Sequence, residues 1–321
     1  MLYPKIYIGP MSKNIVDALL ESGVNVGLIP SRRQIDWDNG YVNKWTTEEF
    51  VKYVRKPNIL LERDHGGPNQ GTNPDNGKDS LILDCSCFDI IHIDPWKVAR
   101  TFDEGRQLTA DYINFCHRIN PNIFFEVGTE EAIFHYEPEA LEILLRYLYL
   151  KVPSQAYQNI VYAVIQSGTS LKENRNTGNY DQERLKRFIA VCNEFGVLSK
   201  EHNGDYLPNA VIKSKFDNGL TAINIAPEFG QLETKVYVEE CRRLKLFDIF
   251  YDICYKSGKW VKWVDEKFDP ASNKEALVNI CGHYVLSQTN FLTEIKQNMR
   301  PDIDFVIRDR ITQRLVELSK L

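Results

Sequence analysis

The chain has 321 residues, 43% of them apolar and 26% charged, with a formal net charge of −5. That length suits one large barrel or two smaller domains, and the apolar share is enough for a sizeable core. The mild acidity provides no basic field for nucleic acid or an anionic membrane surface, yet it is compatible with a phosphate site built locally from backbone N–H groups and one or two cations.

Short β-like runs recur along the chain. The first is Lys5 to Gly9, and "SKNIVDALLESG" follows it as a helix with Ser12 as N-cap and Gly23 as stop. A second run, Val24 to Ile29, precedes "TTEEFVKYVRK", whose Thr and following Glu form a capping-box pattern. Runs at Asn58 to Leu61, Phe88 to Ile93 and Asn122 to Val127 come next, then the helical pattern "EPEALEILLRYLYLK". Asn159 to Ile165 precedes "DQERLKRFIAVCNEFG", and the last two runs are Gly196 to Ser199 and Gly219 to Ile225. Their starts are spaced by roughly 20 to 40 residues, the length of a strand plus its crossover helix. Eight such units with nearly continuous apolar strands predict an α/β fold, a closed (β/α)8 TIM barrel, in preference to an open doubly wound sheet. No Gly-x-Gly-x-x-Gly follows the first strand, which argues against a dinucleotide fold.

Roughly 95 residues remain after Ile225. "LETKVYVEECRRLKLFDIFYDICYKS", "KEALVNICGHYVLSQTNFLTEIKQNM" and "DFVIRDRITQRLVELSKL" read as three helices, with "SGKWVKWVDEKFDPASN" as a connection. The expected division is a barrel over 1–230 and a helical C-terminal extension over 231–321, packed on the barrel or on a neighbouring subunit. No stretch reaches the roughly 18 to 20 apolar residues of a membrane span. Met1-Leu2-Tyr3-Pro4-Lys5 lacks the order of a signal peptide. The seven cysteines are scattered, and Cys85 and Cys87 read as ordinary thiols rather than as a zinc pair. A cytoplasmic location is the default expectation.

In such a barrel the chemistry sits at the C-terminal ends of the strands. Those ends carry Met11 and Ser12; Arg32, Arg33, Gln34, Asp36 and Tyr41; Asp64 and His65; Asp94; Glu126, Glu130 and Glu131; Gln166; His202; and Asn224 and Glu228. Polar groups gathered at one end of nearly every unit are an enzyme-like distribution. In "ILLERDHGGPNQG" a strand holds Asp64 and His65 at the mouth, and the glycines turn the backbone away. Adjacent residues of an extended chain alternate, so the pair is expected to project in different directions, one toward a metal and the other toward substrate. Glu126, in an apolar strand, needs a partner, which is either a metal or a neighbouring Arg or Lys. His92, inside an apolar run, reads as a hydrogen-bonded core residue. His117, His135 and His283 read as structural, and Trp260 and Trp263 as packing. Arg32, Arg33 and Lys172 are the cations in reach of a phosphate.

The ordered set "RDHGGPN", "IIHIDP", "VGTEE", "KEHNGDY" and "INIAPEF" resembles the class II ketose-bisphosphate aldolase superfamily. It is most similar to the D-tagatose-1,6-bisphosphate aldolase accessory-subunit branch, the Z-type proteins. The matching stretches are Gln34 to Tyr41, Asp64 to Asn69, Ile91 to Asp94, Gly128 to Glu130 and His202 to Tyr206. The resemblance implies a metal-dependent carbon–carbon lyase, or an epimerase working through the same enediolate, on a ketose phosphate or related keto-sugar. It assigns Asp64 to proton transfer, with Glu130 or Glu131 assisting. It assigns His65 and His202 to the metal, with Glu126 beside it. Gln34, Asn69, Asp94, Asn203, Gly204 and Asn224 would face the substrate.

One departure stands out. Catalytic members carry a third metal-binding histidine after strand 6, where this chain has "VIQSGTSLKEN". His65, His202 and Glu126 would then make a two-histidine, one-carboxylate set suited to Zn2+, Mn2+ or Fe2+. The alternative is a non-catalytic accessory subunit in a hetero-oligomer with a catalytic tagatose-bisphosphate aldolase. Otherwise a homo-oligomer acting on a small-molecule sugar phosphate is expected.

Overall fold

The computed structural model describes residues 3–56, 59–173 and 175–321. Met1, Leu2 and Asn58, the expected start of the third run, lie outside them. Eight parallel strands close into a barrel, each hydrogen-bonded to its sequence neighbours and the last to the first. They are Ile6–Ile8, Gly27–Leu28, Leu60–Gly66, Ile90–Ile93, Phe124–Val127, Ile160–Val164, Leu198–Glu201 and Ala222–Ile225. All eight expected runs are strands of this barrel. Outward side chains such as Leu28, Leu61, Ile91 and Ile93 meet the surrounding helices, while Tyr7, Leu60, Ile90 and Tyr162 fill the interior. Both faces are therefore dry, which is why the strands read as apolar runs.

The local signals act as read. Ser12 caps helix Lys13–Ser22 by accepting from the Ile15 N–H, and Gly23 ends it at φ 66°. Thr46 and Glu49 form both halves of the capping box of helix Thr47–Val54. Helices Pro138–Lys151 and Gln182–Glu194 lie where their patterns put them. Among the described residues no helix is long and apolar enough to cross a membrane.

The C-terminal region departs from its pattern. The first expected helix is two, Pro227–Arg243 and Phe247–Ser257, broken where Lys245 adopts φ 61°. The second is also broken, into helix Lys274–Cys281, a tight turn Gly282–Tyr284 and shorter turns from Phe291 to Asn298. At Gly282 a Cβ would lie 2.4 Å from Thr234 Cγ2, so this close approach admits only glycine. Helix Ile303–Leu318 packs on Lys13–Ser22 and is tied down by Arg314 to Glu228 at 2.7 Å. The expected boundary at residue 230 falls within helix Pro227–Arg243, the eighth helix of the barrel cycle.

A buried ion pair fastens the third unit. Arg63, fully buried, donates to Asp84 Oδ1 at 2.8 and 3.0 Å, to Thr47 Oγ1 at 2.8 Å, and to the carbonyls of Pro30 and Ile35 at 3.2 and 3.0 Å. Removing one member of such a pair leaves an uncompensated buried charge. Asp84→Ala should therefore lower unfolding stability by about 3–5 kcal/mol. Urea denaturation followed by circular dichroism measures this, and a loss below about 1 kcal/mol would show that the carbonyls alone satisfy the guanidinium.

Candidate active site

The barrel interior is layered. Tyr7, Glu62, Glu126 and Lys200 come from alternate strands, as in the four-residue layers of such barrels. The Lys200 ammonium donates to Glu62 and, at 2.8 Å, to Glu126, and it lies 3.9 Å from the centre of the Tyr7 ring. Burial, then the neighbouring Glu126 charge, pushes the Glu62 carboxyl well above the usual range. Burial works against Glu126 too, but Lys200 first and His202 next hold its carboxyl well below that range. Glu126 is thus the ionised carboxylate of the layer, opposite the Lys200 ammonium.

The next groups toward the mouth are imidazoles. His202 Nε2 lies 2.6 Å from Glu126 Oε1. His92, beside Glu126 in register on the fourth strand, has Nε2 2.9 Å from the Gly128 carbonyl. His65 Nδ1 lies 2.6 Å from Asp94 Oδ2. The ring centres of His65, His92 and His202 are 5.1, 5.3 and 4.8 Å apart pairwise. Asp64 Oδ1 lies 3.6 Å from His65 Nε2 and 4.0 Å from His202 Nδ1. One donor atom from each of Asp64, His65, His92 and His202 lies within 4.8 Å of the others.

The donor set fits a divalent metal. Each imidazole has one nitrogen fixed by a carboxylate or carbonyl, which leaves Nε2 of His65 and Nδ1 of His202 as the open atoms, while Nδ1 of His92 is met by the His65 N–H at 3.4 Å. Fixing the second nitrogen is how metal-binding histidines are oriented. Two nitrogens and Asp64 suit zinc, manganese or iron, and His92 would add a third nitrogen only by giving up the long His65 N–H contact. Burial pushes the His92 pKa down to about 4, so the ring is neutral, as a ligand must be. Burial opposes charge on His65 as well, but Asp64 and Asp94 push its pKa up to about 9.

Local backbone explains how two adjacent residues share one site. The register between the third and fourth strands shifts between Arg63 and Gly66, and His65 sits at φ 49°. Strict alternation would send Asp64 and His65 to opposite faces. This bulge, with a left-handed residue in it, turns both toward the mouth.

A cavity of about 270 Å³ opens above the cluster. Asp64, His65, His202, Gln34, Glu130, Asn203 and Asn224 line it. Asn224 Oδ1 is buried and, among the described residues, without a hydrogen-bond partner. Gln34 is spent on the wall, accepting from the Ser31 N–H at 2.8 Å and donating to Met11 Sδ at 2.9 Å.

Five expected residues fall elsewhere. Glu126 meets His202 and Lys200 rather than the open nitrogens, so the neighbouring-lysine alternative describes it. Asp94 is engaged by His65 and by Gln70 Nε2 at 3.1 Å, which makes it a positioning group. Asn69 is exposed and accepts from the Asp75 N–H at 3.0 Å in its own turn. The Gly204 N–H is taken by the Asn224 carbonyl at 3.0 Å, and a Cβ there would strike Ile223. Glu131 pairs with His135 at 3.0 Å, away from the cavity lining. Sequence reasoning also missed three residues, Gln70, Lys97 and Lys262, that line the cavity. His92 is the hydrogen-bonded core residue expected, with Nε2 on the Gly128 carbonyl and Nδ1 on the His65 N–H, and alternation along Ile90–Ile93 puts it on the same inward face as Ile90.

Neither a protein-family model nor a curated protein matches the chain. Solved structures do. A probable tagatose 6 phosphate kinase from Sinorhizobium meliloti 1021 is similar over 98% of this chain and 99% of its own, at 14% identity and TM-score 0.76. The fructuronate-tagaturonate epimerase UxaE from Cohnella laeviribosi is similar over 99% and 81%, at 10% identity and TM-score 0.64. The YdjI aldolase from Escherichia coli K12 is similar over 99% and 90%, at 14% identity and TM-score 0.56. The chain shares its barrel fold with these proteins, which is the fold implied by the resemblance to class II aldolases.

Calorimetric zinc titration tests the site. His65→Ala and His202→Ala should each weaken zinc binding severely, His92→Ala should weaken it less because its Nδ1 already meets the His65 N–H, and Glu126→Gln should weaken it roughly 10- to 100-fold through the freed His202 ring. Unchanged affinity in His92→Ala would remove that histidine from the ligand set.

Proposed function

We propose that the protein is a metal-dependent lyase or epimerase of the class II aldolase type, acting beside the carbonyl of a ketose phosphate or related keto-sugar. The observation that carries this reading is the convergence of His65 and His202 with Asp64 at the base of one cavity, with His92 packed behind them and the rings of His65 and His202 each oriented by a carboxylate. The aldolase and epimerase among the structural neighbours support the same class.

A divalent cation, if bound, would be held by His65 and His202 with Asp64 and His92 in reach, and would supply Lewis-acid polarisation of a substrate carbonyl. The protein's own groups handle protons and position. Asp64 takes the proton from the carbon beside the carbonyl, the C–H electron pair becomes the enediolate double bond, and the proton returns to either face. In the lyase direction a carboxylate takes the proton of the hydroxyl one carbon further on. The C–C bond then breaks to give an aldehyde and the same enediolate. Glu130, in the cavity wall, is the second proton-handling group. Asn203 and Asn224 bind hydroxyls.

The reading as a non-catalytic subunit rested on the missing histidine after strand 6 and on the long helical tail. The cluster of Asp64, His65 and His202 at the cavity, with His92 beside it, supports the catalytic reading.

In D2O, wild-type protein should exchange a carbon-bound proton of dihydroxyacetone phosphate, followed by NMR, and Asp64→Asn should slow this by roughly 10²- to 10⁴-fold. Metal content is measured on the same samples. Wild-type protein that holds no metal and exchanges nothing would overturn the catalytic reading in favour of a subunit that supports a partner aldolase.

A further inference from the structure

Three cations line the cavity: Arg33 from the loop after the second strand, Lys97 from the loop after the fourth, and Lys262 from the C-terminal extension. The other cations that the sequence offered for an anion are already committed. Arg32 is buried between Asp36 and Asp75, at 3.0 and 2.6 Å, and Lys172 lies 3.3 Å from Asp265. The cavity trio differs, because among the described residues none of the three is within salt-bridge distance of a carboxylate. Arg33 Nε donates to the Gly71 carbonyl at 3.3 Å, which leaves the rest of its fork open. Lys97 donates to the amide oxygen of Gln70. The Lys262 ammonium rests 4.5 Å from the Trp263 ring centre and 5.2 Å from that of Tyr284.

The three also repel one another. Lys97 and Lys262 keep solvent exposure at the cavity mouth, and desolvation by the surrounding protein, then Arg33, lowers the pKa of Lys262, with Lys97 and Lys259 adding to the effect. Lys97 is lowered by desolvation in the same way, opposed by Asp94 and pushed further down by Arg33. Glu130 is the acid in the cavity wall whose field offsets both. Gathering like charges with too little fixed counter-charge is unfavourable in the free protein and becomes favourable when an anion binds. A second hollow of about 600 Å³ shares Arg33, Tyr41, Lys262 and Tyr284 with the first, so there is room for a ligand to extend outward past these cations.

We propose that Arg33, Lys97 and Lys262 form the binding subsite for a phosphoryl group of the substrate, with the C-terminal extension supplying one of its three cations. This deepens the function proposed above and rests on it for the word substrate. A phosphoryl dianion has three terminal oxygens and two charges to meet three donors on separate segments, whereas a carboxylate has two oxygens and one charge. The extension is then part of the active site, and Trp263 and Tyr284 form an aromatic wall that carries Lys262.

The probe is inorganic phosphate, titrated calorimetrically into the full-length protein at low ionic strength. Arg33→Met, Lys97→Met and Lys262→Met should each weaken phosphate binding roughly tenfold or more, while Lys172→Met should bind as wild type does. Zinc affinity and melting temperature are measured on every variant. If Lys262→Met does not fold, Lys262→Gln takes its place. Phosphate bound equally well by the three variants overturns the subsite, as does wild-type protein that binds no phosphate. Malonate or acetate binding as tightly as phosphate overturns the phosphoryl assignment. Phosphate binding that depends on the trio, in a protein without deuterium exchange, sinks the catalytic reading and leaves the subsite standing.

Discussion

The ring of His202 is held by the carboxylate of Glu126, and Glu126 carries its charge because the Lys200 ammonium lies against it inside the barrel. Burying Glu62, Glu126 and Lys200 in an apolar interior contributes little net stability, since the desolvation of the ions offsets their attraction. What the arrangement provides is orientation. A carboxylate fixed from below by a lysine that is itself clasped by Glu62 and capped by the Tyr7 ring cannot rotate away, so the imidazole it grips presents one nitrogen upward. His65 and His92 repeat the device with Asp94 and the Gly128 carbonyl. The whole cluster depends on atoms one layer further from the cavity than itself.

The same logic makes the C-terminal region more than a cover. Its helices break at Lys245 and Gly282 where the pattern asks for continuity, and those breaks let the chain fold back so that Lys262, Trp263 and Tyr284 reach the barrel mouth. Helix Ile303–Leu318 then locks the arrangement onto the first helix and onto Glu228. A barrel truncated near residue 230 would lose part of the cavity wall as well as the eighth helix.

The strands were legible because burial on both faces leaves an apolar run that no other requirement interrupts. The strand-end rule located Asp64, His65 and His202 for the same reason: rigid strands deliver their termini to one place. Roles were harder to read than positions. Glu126 and His92 are both polar interruptions of apolar strands, and only the direction of each side chain and the neighbour it meets separate a ligand from the group that orients it. Alternation by two residues carried part of that information, in Leu198-Lys200-His202 and in Ile90-His92-Asp94. It failed at Asp64-His65, where a bulge breaks the period. Lys97 and Lys262 had no local signature. A loop lysine becomes a site residue only through what the fold places across from it, and residues 97 and 262 are brought together solely by the return of the extension.

The apparent defect after the sixth strand has a structural counterpart. Gln166 donates to the carbonyls of Thr129 and Phe134 at 3.0 and 2.9 Å and accepts from the Tyr136 N–H at 3.1 Å, so it fastens the loop that follows the fifth strand. Its side chain is fully used there and offers nothing to a cation. The nearest additional imidazole, His92, lies on the fourth strand, on the far side of Glu126 from the sixth, with its Nδ1 met by the His65 N–H. A ring of strands around one axis allows this placement, because inward positions at the same height are nearly equivalent in their distance from the centre. What differs is the direction from which the extra ring approaches and the contact it must release, so the loop after the sixth strand is left to support the wall while the fourth strand places a ring beside Glu126.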